Sequence, residues 1–225
     1  MAVSQHLERL RRAAIELGLQ LEDHQYAALL SYVDQLQRWN RTYNLTALRD
    51  PNEMLVQHVF DSLSVVRPLQ ERLGRAGKAT RVVDVGSGGG LPGVVLAITN
   101  PEWHICCVDA VEKKTAFVQQ MVGALSLPNL SARHGRVESL APMEADAVIS
   151  RAFASLLDFS TLAGRHVGQE GWLVAMKGRE PLEEIESLHN AAAWHVVQIQ
   201  TLSVPEMDAQ RCLLWISRQT DHDQK

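Results

Sequence analysis

Cysteine and aromatic residues are scarce in this 225-residue sequence, and long apolar runs are missing. Three cysteines, two of them adjacent (Cys106, Cys107), fit neither a disulfide framework nor a zinc site. The nine histidines form no HxxxH or HxH pair, so no metal is expected. No run approaches the roughly eighteen apolar residues of a membrane span. The N-terminal "MAVSQHLERLRRAAIELG" is charged throughout and lacks the apolar centre of a secretory signal. There are no internal repeats. These absences point to a reduced, cytoplasmic, metal-free protein with no membrane contact. Its length suits one well-buried core with at most a small appendage.

Charge is unevenly distributed. The net charge of −4 speaks weakly against a polyanionic partner. Yet the stretch 38–81 carries eight Lys/Arg against four Asp/Glu, enough for a local footing on nucleic acid or simply a solvated face.

The first eighty residues read as helices. Leu7, Leu10, Ala14 and Leu17 recur at helical spacing behind a possible Ser4 cap. Tyr26, Leu29, Leu30, Val33 and Leu36 form a second stripe, which reaches Trp39. Asp50-Pro51-Asn52-Glu53 starts a third helix, with a capping side chain, proline at the first helical position and Glu three residues after the cap. Its apolar face would hold Leu55, Val59, Leu63 and Val66. The glycine-bearing, basic segment 70–80 is the boundary candidate, giving a helical region over 1–78 and a second unit over 79–225.

From residue 81 short β-branched runs alternate with helical ones. Strands are expected at 81–85, 103–108, 130–133, 146–150, 171–176, 194–201 and 211–217, and helices at about 92–99, 112–126, 155–166 and 180–191. That alternation means a parallel sheet covered on both faces. Only a loop, 202–210, joins the last two strands, so they should pair antiparallel.

Between the first strand and helix, "RVVDVGSGGGLPGVVLAI" (81–98) packs five glycines into eight positions. Such a turn lets main-chain N–H groups and a helix start meet a ligand closely. "GGGLPG" satisfies G-x-G-x-x-G, a weak dinucleotide signal that depends on the frame chosen. Asp84, two residues before Gly86, suits a cationic ammonium, directly or through water, and would repel a pyrophosphate. Asp109 ends the second strand, where a carboxylate holds ribose hydroxyls. After the third strand, "HGRVESL" offers Val137 and Glu138 at the same crevice. Asp84, Gly86, Gly88, Gly90, Asp109 and Glu138 together make the layout that fits S-adenosylmethionine.

Missing chemistry narrows the reaction. The fourth strand, "DAVISRAFASL", has no (N/D)PP(Y/F) tetrad of the kind used on exocyclic amines. All three cysteines lie in strands, where packing is the plainer role, so no cysteine nucleophile for C5 of a pyrimidine is evident. Guanine N7 has a lone pair and no proton, so orientation alone can carry its methylation, with no residue as acid or base.

"WNRTYNLTALRDPNEMLVQHVFDSL" (39–63), "VVDVGSGGGLPGVVLAI" (82–98), "VISRAFASL" (148–156) and "AMKG" (175–178) resemble, in the same order, the bacterial 16S rRNA guanine-N7 methyltransferases of the glucose-inhibited division protein B family. The resemblance implies an α/β fold, that of a class I S-adenosylmethionine-dependent methyltransferase. This means a Rossmann-like, seven-stranded, mostly parallel sheet with an antiparallel last strand, plus an N-terminal helical extension. It implies methylation of one guanine, conventionally numbered 527, in a 16S rRNA loop. The expected partner is that RNA within the small subunit or an assembly precursor. No long exposed apolar helix demands a dimer, so a monomer is expected. Carried over residue by residue, the resemblance puts Gly86, Leu91, Val137, Glu138 and Arg151 on the methyl donor. Asn44, Arg151, Lys177 and Arg211 would face RNA, with 1–78 contributing. His58 and Asp61, one turn apart, are expected as a structural pair rather than a catalytic one. Rival readings are a small-molecule methyltransferase, a nicotinamide-dependent reductase (which lacks a Tyr-x-x-x-Lys here) and a non-enzymatic RNA-binding protein.

Overall fold

A computed structural model of the chain describes residues 2–74, 79–151, 153, 155–191 and 193–219. The expected boundary at 78/79 therefore begins outside the described residues, and Ala152 and Ala154 of the third motif also lie outside them. Helices α1 (Ala2–Glu16) and α2 (Asp23–Tyr43) precede α3 (Pro51–Met54), a π-helical turn (Leu55–Phe60), α4 (Asp61–Leu63) and α5 (Val66–Leu73). Ser4 lies inside α1 and not at its cap. Asp50 does cap α3, its side chain accepting from the N–H of Asn52. Leu55, Val59, Leu63 and Val66 are all fully buried as their spacing requires. The expected single helix is instead interrupted by the π turn, a departure that apolar spacing does not encode.

The remainder alternates strand and helix: β1 (Arg81–Val85), α6 (Gly93–Thr99), β2 (His104–Asp109), α7 (Glu112–Ala124), β3 (Leu130–His134), β4 (Ala145–Ser150), α8 (Leu156–Ala163), β5 (Val167–Lys177), α9 (Leu182–Ala191), β6 (Trp194–Leu202) and β7 (Arg211–Arg218). The sheet order is β3-β2-β1-β4-β5-β7-β6. The first five strands are parallel, and β7 runs antiparallel to both its neighbours, inserted between β5 and β6. Strand β5 starts four residues earlier than its apolar run, because Val167 pairs with Ala145 before a register shift. Gly168 and Gly171 let the strand lie against the Ala145 carbonyl.

Side-chain alternation assigns the two faces. Val82, Ile105, Cys107, Ile149 and Val174 point to one core, which also holds α6, α7 and the N-terminal helices. Val83, Val85, Val108, Val148 and Leu173 point to the other, under α8 and α9. The N-terminal helices thus share a core with the sheet. Gln25 of α2 donates to the Ile98 carbonyl at 2.8 Å, and Tyr32 to that of Gly89 at 2.7 Å. No helix among the described residues is long and apolar enough to cross a membrane.

Candidate active site

The chain order reverses between β1 and β4, and their carboxyl ends open a crevice there, as doubly wound sheets do. Gly86 and Ser87 donate to the Val108 carbonyl at 2.9 and 3.2 Å, binding the glycine turn to the tip of β2. Asp109 completes the join. Its Oδ2 accepts from Gly88 N–H at 2.9 Å and its Oδ1 from Val111 N–H at 2.9 Å. Each carboxylate oxygen keeps a further lone pair for a ligand hydroxyl. Gly88 sits at φ +59° with open space where a Cβ would stand, so its main chain is uncovered on that side, though it does not border the cavity at the strand tips.

A cavity of about 280 Å³ lies at these strand tips, bordered by Gly86, Asp109, Val137, Glu138, Phe153 and Leu162 among others. The turn after β3 is fixed from behind. Fully buried His166 bonds the Val137 carbonyl through Nε2 at 2.8 Å, and Arg165 donates to the Glu138 carbonyl at 3.1 Å. Phe153 and Leu162, which sequence reasoning did not single out, supply an apolar wall. A carboxylate at the sugar position, bare main chain and an apolar wall fit an adenosine-bearing ligand without phosphate.

Asp84 is placed differently from its sequence reading. Strand alternation puts it on the Val82 face, beneath α6, fully buried, so it does not line the cavity. Its Oδ2 accepts from Gly93 N–H at 2.8 Å, and its Oδ1 has no partner among the described residues. Burial pushes its carboxyl up to about 7, against the pull of that N–H and of Arg151. Gly90 (φ +85°) and Leu91 both donate to the Ser87 carbonyl. Leu91 is buried, and it too lies outside the lining of the cavity.

A second cavity, about 330 Å³, is bordered by Arg151, two positions before Phe153 of the first in the sequence. Arg151, Lys177 and Arg211, expected from sequence to face a polyanion, meet there with His58 and Asp61. Asp61 does not pair with His58. It accepts from Arg151 Nη1 at 3.1 Å and from Arg211 Nε at 2.9 Å. His58 Nε2 bonds Thr46 Oγ1 at 2.8 Å, and burial, with Arg151 nearby, lowers its pKa to about 4. Lys177 is held by Glu184 at 2.8 Å, and Glu184 also accepts from the Leu156 N–H at the start of α8. Asn44 lies apart. It is an exposed left-handed C-cap of α2, and its Oδ1 accepts from Arg49. A larger hollow of about 560 Å³ between α1 and Pro205–Glu206 is not at the strand tips, whereas one of about 460 Å³ lies beyond the end of β5, lined by Lys177 to Glu184. Among the described residues no group of three or more His, Cys, Asp or Glu is placed to hold a metal ion.

A family model described as rRNA small subunit methyltransferase G matches residues 25–214. The chain belongs to this family. The ribosomal RNA small subunit methyltransferase G of Bordetella avium is 64% identical over 211 residues, covering 94% of this chain and 93% of the relative. That of Leptothrix cholodnii is 48% identical over 209 residues, covering 93% and 94%. Solved structures at much lower identity share the fold. An S-adenosylmethionine-dependent methyltransferase from Aquifex aeolicus has a TM-score of 0.56 at 17% identity, covering 77% of this chain and 96% of that one. One from Thiobacillus denitrificans, in complex with S-adenosylhomocysteine, has a TM-score of 0.50 at 12% identity, covering 68% and 90%. As a member of the rRNA small subunit methyltransferase G family, the protein is an S-adenosylmethionine-dependent enzyme that methylates ribosomal RNA.

Proposed function

We propose that this enzyme methylates N7 of a single guanine in 16S rRNA, the one conventionally numbered 527, and does so in the cytoplasm as a monomer acting on the small subunit or an assembly precursor. The observation that carries the reading is the pair of cavities, one bordered by Gly86, Asp109 and Val137 and suited to an adenosine, the other bordered by Arg151, Lys177 and Arg211. When bound, S-adenosylmethionine supplies a sulfonium methyl whose C–S bond breaks as the guanine N7 lone pair forms the new C–N bond.

The chain's own task is placement. Asp109 would hold the ribose hydroxyls, Gly86 and Gly88 would leave main chain bare for the donor, and Val137, Glu138, Phe153 and Leu162 would receive the adenine. Gly90, Leu91 and Asp84 act from behind, by fixing the glycine turn and the start of α6. Arg151, Arg211 and Lys177, all bordering the second cavity, hold RNA phosphate. Exposed Arg38 and Arg41 on α2, with Asn44 at its end, extend that contact across the N-terminal helices. No proton has to leave N7, so no general base is needed. Its absence suits a cavity whose one carboxylate, Asp61, is already engaged by two cations. Holding the nucleophile in line is worth several powers of ten in rate by itself, on the order of 10⁵ M in effective concentration. RNA loops can splay a base outward, so an extruded guanine is the expected substrate.

Small subunits lacking the modification, incubated with the enzyme and methyl-labelled donor, should gain one N7-methylguanine when their 16S rRNA is digested and mapped by mass spectrometry. Label on another base or atom, or none in rRNA, overturns the assignment.

A further inference from the structure

Asp61 is one of the few carboxylates in the core, 3% exposed, and none of the steps above uses it chemically. It spans two cations that come from distant parts of the chain: Arg151, leaving β4, and Arg211, opening β7. Each guanidinium is also fixed by a main-chain carbonyl, that of Gln57 for Arg151 at 3.2 Å and that of Gln210 for Arg211 at 2.9 Å. The side chains of both arginines remain about a quarter exposed, at 26% and 28%, and border the second cavity, whereas the Asp61 carboxylate between them is at its floor, 4% exposed.

We infer that Asp61 is a positioning residue for methyl transfer, holding Arg151 and Arg211 as a two-pronged clamp on the RNA phosphate beside the target guanine. The inference rests on the proposed role of these arginines in binding RNA. A guanidinium has five N–H donors in a rigid plane, so the bonds named above leave donors over for a phosphate. Two guanidiniums this close repel one another, and a carboxylate between them offsets that repulsion while fixing the plane of each. The triad carries a net +1, the complement of one phosphodiester. A carboxylate that merely stapled β7 to the helical turn would stabilise the fold without affecting turnover. A positioning carboxylate affects turnover without being needed for affinity.

Asp61→Asn separates the two. It keeps size and one acceptor oxygen, and the arginines, each about a quarter exposed, stay in reach of solvent. With unmodified small subunits and labelled donor, both saturating, kcat should fall about ten- to a hundredfold, the scale of an ångström-sized misplacement. Subunit affinity should be held or tightened and its salt dependence steepened, because the triad becomes +2. Affinity for S-adenosylhomocysteine and the melting temperature should stay near wild type. Retained kcat overturns the inference, as does a kcat loss that tracks weakened S-adenosylhomocysteine binding or partial unfolding. Arg211→Gln gives an independent test should Asp61→Asn not fold. It should lower kcat and flatten the salt dependence, and unchanged kcat there also overturns the inference. If wild-type enzyme labels no rRNA, the proposed function has failed. If wild type labels it and Asp61→Asn does so equally fast, only the role of Asp61 has failed.

Discussion

Tyr32 of α2 donates its phenolic hydroxyl to the carbonyl oxygen of Gly89, 2.7 Å away, with both residues buried. A helix from the N-terminal region thus holds the middle of the glycine turn. Burial pushes the phenol well above its ordinary pKa, so it stays a donor at any working pH. Tyr32→Phe should lower stability by about 1–2 kcal/mol, since it strands a buried carbonyl. It should also weaken S-adenosylhomocysteine binding by about fivefold, a loss of about 1 kcal/mol. Chemical denaturation and calorimetric titration check the two effects. A stability loss with unchanged affinity would confine the hydroxyl to packing.

The glycines of the turn should differ sharply in tolerance. Gly88 has φ +59° but open space around a would-be Cβ. Gly88→Ala should therefore cost only the backbone strain, about 1–2 kcal/mol, and act mainly by occupying the space left for the donor. At Gly90, φ +85°, a Cβ would stand 2.5 Å from Val94 Cγ2 and 3.0 Å from Val118 Cγ2. Gly90→Ala adds overpacking of about 1–3 kcal/mol to the same strain. Melting temperatures should rank wild type, Gly88→Ala, Gly90→Ala, whereas S-adenosylhomocysteine affinity should already be lost at Gly88→Ala.

Two buried groups should oppose each other in the pH dependence of the free protein. Asp84 titrates near 7 when folded and near 3.8 otherwise, so between these values the folded state keeps a proton that the unfolded chain releases. Stability then falls as pH rises, by at most about 1.4 kcal/mol per pH unit. His58 titrates near 4 when folded and near 6.5 otherwise, so over that range the unfolded chain binds a proton that the folded state refuses. Its contribution rises with pH at the same limiting slope. From pH 4.5 to 6.5 the two nearly cancel. In urea titrations Asp84→Asn should uncover a rise of about 2–3 kcal/mol across that window, and His58→Gln a comparable fall. Variants that both run parallel to wild type would contradict these assignments.

Much of this was legible in sequence because the signals are local. Strand β1 coincides with its β-branched run, and Asp109 ends β2 where a ribose-binding carboxylate is needed. The glycine turn announced itself by composition. Asp84 shows a local rule left unused: it shares the Val82 face by strand alternation, which sends it under α6 and away from the crevice. Asp61 shows what no local rule holds. Its partners lie 90 and 150 residues away, and helical spacing suggests His58 instead. The π turn that precedes it has no apolar signature, because every position its helical face demanded is filled. Pairings across the strand tips depend on the strand order, and that order became visible only with β7 placed between β5 and β6.

The placement of the donor tests all of this most directly. A crystal of the enzyme grown with S-adenosylmethionine should show adenine against Val137 and Phe153, ribose hydroxyls on Asp109, and the sulfonium methyl directed at the cavity between Arg151 and Arg211. A donor bound elsewhere, or one whose methyl points away from those arginines, would contradict the account.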